Sequence, residues 1–279
     1  MGGEPVIVGW AATAGVADTA LVRYVDEVVA EADAALHRSL VAAHVVGSVA
    51  NGDVRGQASD LDLLLVVGRR LDPDLLRRAG ERLADLAGDC PMRGLEAVAY
   101  RRDVLAHPRY PLPYELNVNG GRSIPRRVAT GGDPGFWFLL DVAAAREHSL
   151  TLCGAPVRDL VGPVPDGAVL RALRDSLRWH RTAGGTGPDA VLNACRAWHW
   201  LEHGEWLSKT AAGEWTCRRT GTPAVVRAAV AARRAGNDAD LDARAVTRFA
   251  EEVLGRVERH DRHRAGAYCT PRTAPTEAT

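Results

Sequence analysis

Leu40-Val41-Ala42-Ala43-His44-Val45-Val46-Gly47-Ser48 is followed, after eleven further residues, by Asp60-Leu61-Asp62-Leu63-Leu64-Leu65-Val66-Val67. The first apolar run is short and ends at Val46, the pattern of a buried strand. The second is almost wholly aliphatic after its two carboxylates and reads as another strand. Side chains alternate along a strand, so Asp60 and Asp62 are expected on one face, about 6.6 Å apart along its axis. Carboxylates so placed can share a hard cation, and magnesium needs only a few of them when phosphates complete its shell. Two unpaired anions on an apolar strand are expensive, so cations or basic partners must compensate. Gly47 permits close backbone approach, and Ser48 with the N–H groups after it can grip phosphate. A surface turn followed by a capping aspartate is the plainer alternative. It leaves unexplained why both carboxylates share one face.

Working outward, Leu21, Val25, Val28, Ala32 and Leu36 recur at helical spacing behind Asp18 and Thr19 as N-caps. Asp72-Pro73 starts a helix with Leu76, Ala79, Leu83 and Leu86 on one face and Gly88 at its end. A third strand is expected over Gly94 to Tyr100. It carries Glu96, which could ligate a metal, take a proton from an attacking hydroxyl, or face solvent. The Pro-rich stretch from His107 to Pro113 is irregular. From Asp133 onward the pattern turns helical, with segments at Gly135–Ser149, Asp166–His180, Pro188–His203, Ser208–Arg218, Pro223–Arg234 and Asp242–His260. The apolar stripe Val191, Cys195, Trp198 and Leu201 suits a bundle core. The reading is an α+β protein, with a mixed-sheet domain over residues 1–132, a helical domain over 133–265 and a disordered tail over 266–279. A substrate cleft is expected between the two domains.

Composition narrows the function. The net charge is zero, from 35 basic and 35 acidic side chains. That excludes a nucleic-acid coat and a polybasic membrane binder, so neither nucleic acid nor membrane is an expected partner. No apolar run is long enough for a membrane span and no secretory signal is legible, so the cytosol is expected. The five cysteines, Cys90, Cys153, Cys195, Cys217 and Cys269, are scattered and read as reduced, mostly buried thiols. Lys209 is the only lysine. A compact point charge retained where arginine has replaced every other lysine matters if it falls in a site.

Strand, Gly47-Ser48, short helix, Ser59-Asp60-Leu61-Asp62 and strand, in that order, resemble the signature of polymerase-β-like nucleotidyltransferases. A closer resemblance covers most of the chain. Val46 to Gly52, Ser59 to Leu64, Leu95-Glu96, Arg109-Tyr110-Pro111 and Glu115-Leu116 look like the streptomycin/spectinomycin adenylyltransferases. So do Arg146-Glu147-His148-Ser149, Pro163-Val164-Pro165, Cys195-Arg196-Ala197-Trp198 and Ser208-Lys209 with Ala212, Glu214 and Trp215. The resemblance implies a nucleotidyltransferase domain followed by a helical domain, and AMP transfer from ATP, with magnesium, to a hydroxyl of a small molecule. By position it places metal-holding aspartates at Asp60 and Asp62, the base at Glu96, phosphate contacts at Gly47, Ser48 and Ser59, and helical-domain ATP contacts at Arg196 and Lys209.

The sequence also departs from that family. Gly120-Gly121 stand where a Glu-Trp pair is usual. Thr186-Gly187-Pro188, with Asp189 nearby, replace acidic residues. Trp137 replaces an acidic residue unless Asp133 serves, and Arg234 replaces a tyrosine. The catalytic half is kept and the acceptor half altered. An aminoglycoside or aminocyclitol acceptor, another small hydroxylated metabolite, and a non-catalytic nucleotide-binding role are the competing expectations.

Overall fold

The computed structural model describes residues 18–55, 58–182, 185–219, 221–237 and 240–268, with side chains as far as 262. Its centre is a six-stranded mixed sheet in the order β5-β4-β3-β2-β1-β6. The strands are β1 (Leu40–Val46), β2 (Leu61–Val67), β3 (Gly94–Arg101), β4 (Leu116–Gly121), β5 (Arg127–Ala129) and β6 (Leu150–Cys153). Only β2 and β3 are parallel. A parallel pair needs a crossover, which helix α3 (Pro73–Leu86) supplies. Asp72 caps it, its carboxylate accepting from the N–H groups of Asp74 and Leu75, and Pro73 sits in its first turn. Helix α1 (Thr19–Ala35) is capped in the same way by Asp18.

Alternation along the strands divides the core. Leu61, Leu63, Leu65 and Val67 face α1 and α3, burying Val25, Val28, Leu76 and Leu83. Ala42, Val46, Leu64, Val66, Val98 and Tyr100 face the other way, onto Phe138, Leu139 and Val142 of α5 (Gly135–Ala145). Between β1 and β2 runs the short helix α2 (Gly47–Ala50), and after β3 comes α4 (Arg102–Ala106). Beyond β6 the chain is helical: α6 (Val157–Leu160), α7 (Asp166–Thr182), α8 (Pro188–His203), α9 (Lys209–Cys217), α10 (Ala224–Arg234) and α11 (Ala243–Tyr268). A second core of Leu173, Leu192, Cys195, Trp198, Phe249 and Val253 holds these together. Ala143 and Ala144 of α5 belong to that core, so α5 packs on the sheet and on the bundle at once.

Several expectations change. The helix expected through Ser149 ends at Ala145, and Leu150–Cys153 returns to pair with β1. β4 and β5 were not anticipated. α11 runs to Tyr268, so residues 266–268 are helical instead of part of a tail. Residues 269–279, including Cys269, lie outside the described residues. Cys90, Cys153, Cys195 and Cys217 are free thiols, and the first three are buried. Among the described residues no helix is long and apolar enough to cross a membrane.

Candidate active site

β1 ends where Gly47 turns the chain with a positive φ of 63°. There is no room for a side chain: a Cβ on Gly47 would lie 1.8 Å from Oδ2 of Asp62. The glycine thus lets the Asp62 carboxylate nest against the turn, where it accepts the backbone N–H of Ser48. Asp62 lies opposite Glu96 in the parallel β2–β3 ladder, so both carboxylates project from the same face of neighbouring strands. Burial first, then the charges of Asp141 and Asp60, push Asp62 up to about 7. Burial, then Asp62, Asp141 and Asp60, push Glu96 up to about 8.

Asp60 behaves differently from the expectation. The strand starts at Leu61, and the Asp60 carboxylate turns to Arg93, which donates Nε–H to Oδ1 (2.8 Å) and an Nη2–H to Oδ2 (2.6 Å). A basic partner for the paired anions was foreseen; its identity was not. Ser59 is buried and its hydroxyl accepts the N–H of Arg55 at 2.9 Å. The buried hydroxyl of Ser48 has no hydrogen-bond partner among the described residues. A buried hydroxyl left unsatisfied is costly, and an incoming phosphate oxygen would relieve it.

The helical domain faces this turn with cations. Ser208 caps α9, its Oγ accepting the N–H of Ala211, and Lys209 is the first residue of the helix. The Lys209 ammonium donates to Asp189 at 2.7 Å. Arg196 donates Nε–H to the Leu207 carbonyl at 3.0 Å and lies over the Trp206 ring. Burial lowers its pKa, with Asp141 opposing. Arg233, 3% exposed, binds Asp53 and Thr210 and reaches Asp189. Arg234, its neighbour, instead points outward to Glu214.

Two residues correct or extend the sequence reading. Asp133, the alternative to the acidic residue replaced by Trp137, is already partnered. Its carboxylate is consumed by Arg127, Tyr114 and Asn117, which hold it below its usual pKa against the cost of burial. Asp141, which the sequence did not single out, lies on the solvent-exposed side of α5 within reach of the charges of Arg196 and Lys209. Burial raises its pKa while Arg196 and Lys209 pull it down. It lies one helical turn beyond Trp137, which instead packs edge-on against Trp179 (5.2 Å between centroids). Helical periodicity from Trp137 would have marked position 141, since residues four apart share a face. Gly120 and Gly121 are also sterically fixed: a Cβ on Gly121 would lie 2.3 Å from the Arg93 carbonyl oxygen.

A divalent cation fits the charge of this arrangement. Asp141 and Asp60 raise the pKa of Asp62, and Asp62, Asp141 and Asp60 raise that of Glu96, which is a local excess of negative charge, and Gly47 leaves the Asp62 carboxylate seated at the turn. Asp60 would join Asp62 around such an ion once Arg93 gives way. Among the described residues no three side chains of His, Cys, Asp and Glu converge closely enough to form a complete protein cage.

Residues 159–256 match the family model described as aminoglycoside adenylyltransferase, C-terminal domain. An aminoglycoside (3'') (9) adenylyltransferase of Klebsiella pneumoniae is 29% identical over 204 residues, which is 69% of this chain and 77% of that protein. A spectinomycin 9-adenylyltransferase of Staphylococcus aureus (strain Mu50 / ATCC 700699) is 28% identical over 186 residues, 63% of this chain and 70% of that protein. The crystal structure of spectinomycin adenyltransferase AAD(9) from Enterococcus faecialis, solved with ATP and spectinomycin, superposes with a TM-score of 0.64 at 16% identity. It covers 85% of this chain and 98% of that one, and so shares the fold.

Proposed function

We propose that this chain, which resembles the aminoglycoside adenylyltransferases over its C-terminal half and in its relatives, transfers the adenylyl group of ATP, with magnesium, to a hydroxyl of an aminoglycoside or related aminocyclitol and releases pyrophosphate. One observation carries the reading. A carboxylate pair, Asp62 and Glu96, sits beside the Gly47-Ser48 turn, with Lys209 acting on Asp62 and both Lys209 and Arg196 acting on the neighbouring Asp141. Anions for a metal and a proton, and cations for a triphosphate, thus face one another across one cleft.

Ser48 and the N–H groups of its turn bind the triphosphate, and Lys209 and Arg196 meet its charge from the helical domain. Asp60 and Asp62 would hold the magnesium, which neutralises phosphate oxygens and makes the α-phosphorus more electrophilic. Glu96 accepts the proton of the acceptor hydroxyl. The acceptor oxygen bonds to the α-phosphorus, the bond from that phosphorus to the pyrophosphate oxygen breaks, and pyrophosphate leaves with its charge met by Lys209 and Arg196. The protein's share is positioning and electrostatics, as in phosphoryl transfer generally.

The Gly121 position supports a second acceptor class. No side chain fits there, so an acidic–aromatic pair cannot contact the acceptor from β4. Another small hydroxylated metabolite would then be the substrate. Pyrophosphate release from ATP, measured against a panel of aminoglycosides and related aminocyclitols, tests the proposal. Turnover with one of them supports it; ATP binding with no turnover on any of them favours the second class.

A further inference from the structure

The contacts around Arg233 join segments far apart in the chain. Arg233 lies in the last turn of α10, with its side chain 4% exposed. Its Nη2–H donates to Oδ2 of Asp53 at 2.9 Å, its Nε–H to Thr210 Oγ1 at 3.1 Å, and Nη1 lies 3.5 Å from Asp189. Asp53 belongs to the sheet side. Its backbone N–H donates to the Ser48 carbonyl at 2.9 Å, which fastens it to the phosphate turn. Asp53 also accepts the Thr210 hydroxyl at 2.6 Å and the Thr210 N–H at 3.2 Å, and so engages the first turn of α9 beside Lys209. Asp189 holds the Lys209 ammonium.

We propose that Arg233 is a positioning residue that ties the two jaws of the nucleotide site together. By gripping Asp53 and Asp189 at once, it fixes the Gly47-Ser48 turn relative to Lys209. This rests on the reading of the cleft as an ATP site. Two anions and two cations, Asp53, Asp189, Arg233 and Lys209, make a neutral quartet. When Lys209 turns to the triphosphate, Asp189 keeps Arg233 as its counter-ion and is not left alone in a half-buried place. Arginine suits this because its planar fork can serve two carboxylates at fixed geometry. An apolar contact would join the domains with less desolvation, but it would take from Asp189 one of the cations, with Lys209 and Arg55, that hold its pKa down. The jaws are therefore set before ATP arrives, and Lys209 needs only to change partners.

The test uses the full chain with Arg233→Met, Arg233→Lys, Asp53→Asn and the double variant Asp53→Asn/Arg233→Met. ATP affinity is measured calorimetrically without acceptor, and kcat and KM for ATP are measured separately. Arg233→Met should weaken ATP binding about tenfold or more, the scale of one lost charge-assisted hydrogen bond, while kcat falls less. Asp53→Asn should move in the same direction. The double variant should lose less than the sum of the two single losses, because Arg233 and Asp53 share one contact even though each has others. Should Arg233→Met not fold, Asp53→Asn and Arg233→Lys decide. Wild-type ATP affinity in those folded variants, or additive losses in the double variant, would overturn the proposal. A wild-type protein that binds no ATP overturns the functional reading itself.

Discussion

Replacing Gly47 by alanine probes the seat of the Asp62 carboxylate with the smallest possible addition. The new Cβ would stand 1.8 Å from Oδ2, 2.6 Å from Cγ and 3.0 Å from Cβ of Asp62. Carbon and oxygen touch at about 3.3 Å, so the carboxylate must retreat by about 1.5 Å or rotate away. The backbone adds a smaller penalty: φ is 63°, and an L-residue in the left-handed region costs about 1–2 kcal/mol. In a chain of this size that lowers Tm by a few degrees, about 2–4 °C per kcal/mol. Activity should fall much further, because a misplacement of about 1 Å near the reacting groups can cost about 10²-fold. The assay pairs thermal unfolding with pyrophosphate release and manganese affinity. Gly47→Ala should remain folded at 25 °C, bind manganese more weakly and lose at least about 10² in kcat/KM. A folded variant with activity within about threefold of wild type would show that the carboxylate does not depend on this seat, and would refute the placement of Asp62 at the centre of the site.

Asp62→Asn should leave the fold intact and abolish turnover, because an amide cannot neutralise a cation; substantial pyrophosphate release would remove it from the metal site. Glu96→Gln should bind ATP as wild type does yet lose about 10² or more in rate, the scale of a positioned general base; a collapse of ATP and metal affinity would make it a ligand instead. Lys209→Arg should raise KM for ATP markedly and Lys209→Ala more, since a planar fork cannot replace a point donor that must swing from Asp189 to phosphate; unchanged KM in both would place Lys209 outside the site. His44 gives a pH effect: it is fully buried in β1 with neither ring nitrogen paired, and burial lowers its pKa from 6.5 to about 4. The folded state therefore refuses a proton that the unfolded chain accepts, so its contribution is intact above about 6.5 and drains away as pH falls towards about 4. Between about pH 7.5 and about pH 5 this amounts to about 2 kcal/mol, and urea unfolding of His44→Leu should show a pH dependence smaller by that amount; an unchanged dependence would mean that His44 is protonated in the folded protein.

The catalytic half was legible because its information is local. Gly47-Ser48 directly follows β1 and Asp60-Leu61-Asp62 opens β2, two adjacent strands joined by one short connection, and strand alternation places Asp62 without knowledge of the rest. Lys209 behind the capping Ser208 was equally local, and a helix start has a recognisable chemistry. Asp60 was only half legible, because its bidentate grip by Arg93 depends on the fold bringing β3 alongside β2. The Asp53–Arg233 contact spans 180 positions and left no periodic trace in either segment. β4 was missed because Leu116-Asn117-Val118-Asn119-Gly120-Gly121 is rich in residues that disfavour strands. β6 was missed because Leu-Thr-Leu-Cys is only four residues long and follows directly on a segment read as helix to Ser149, too short a run to show alternation. Asp141 escaped notice because it is a single polar residue on an otherwise apolar helix, and only packing brings it within reach of the charges of Arg196 and Lys209.

The return of β6 to the sheet governs how this protein can be cut. Leu150–Cys153 runs along the outer side of β1, beyond the point at which the chain has already entered α5. A fragment ending at residue 132 would therefore contain every carboxylate of the catalytic strands, yet leave β1 as a bare rim of unpaired amide groups. Such a rim is a template for pairing with other chains. It would also uncover Ala42, Val46, Leu64 and Val66, which α5 now covers. The sheet and the bundle are in this sense stitched rather than strung together. The smallest autonomous piece bearing Asp60 and Asp62 extends at least past Gly154, and swapping helical halves between relatives requires a junction placed after that strand.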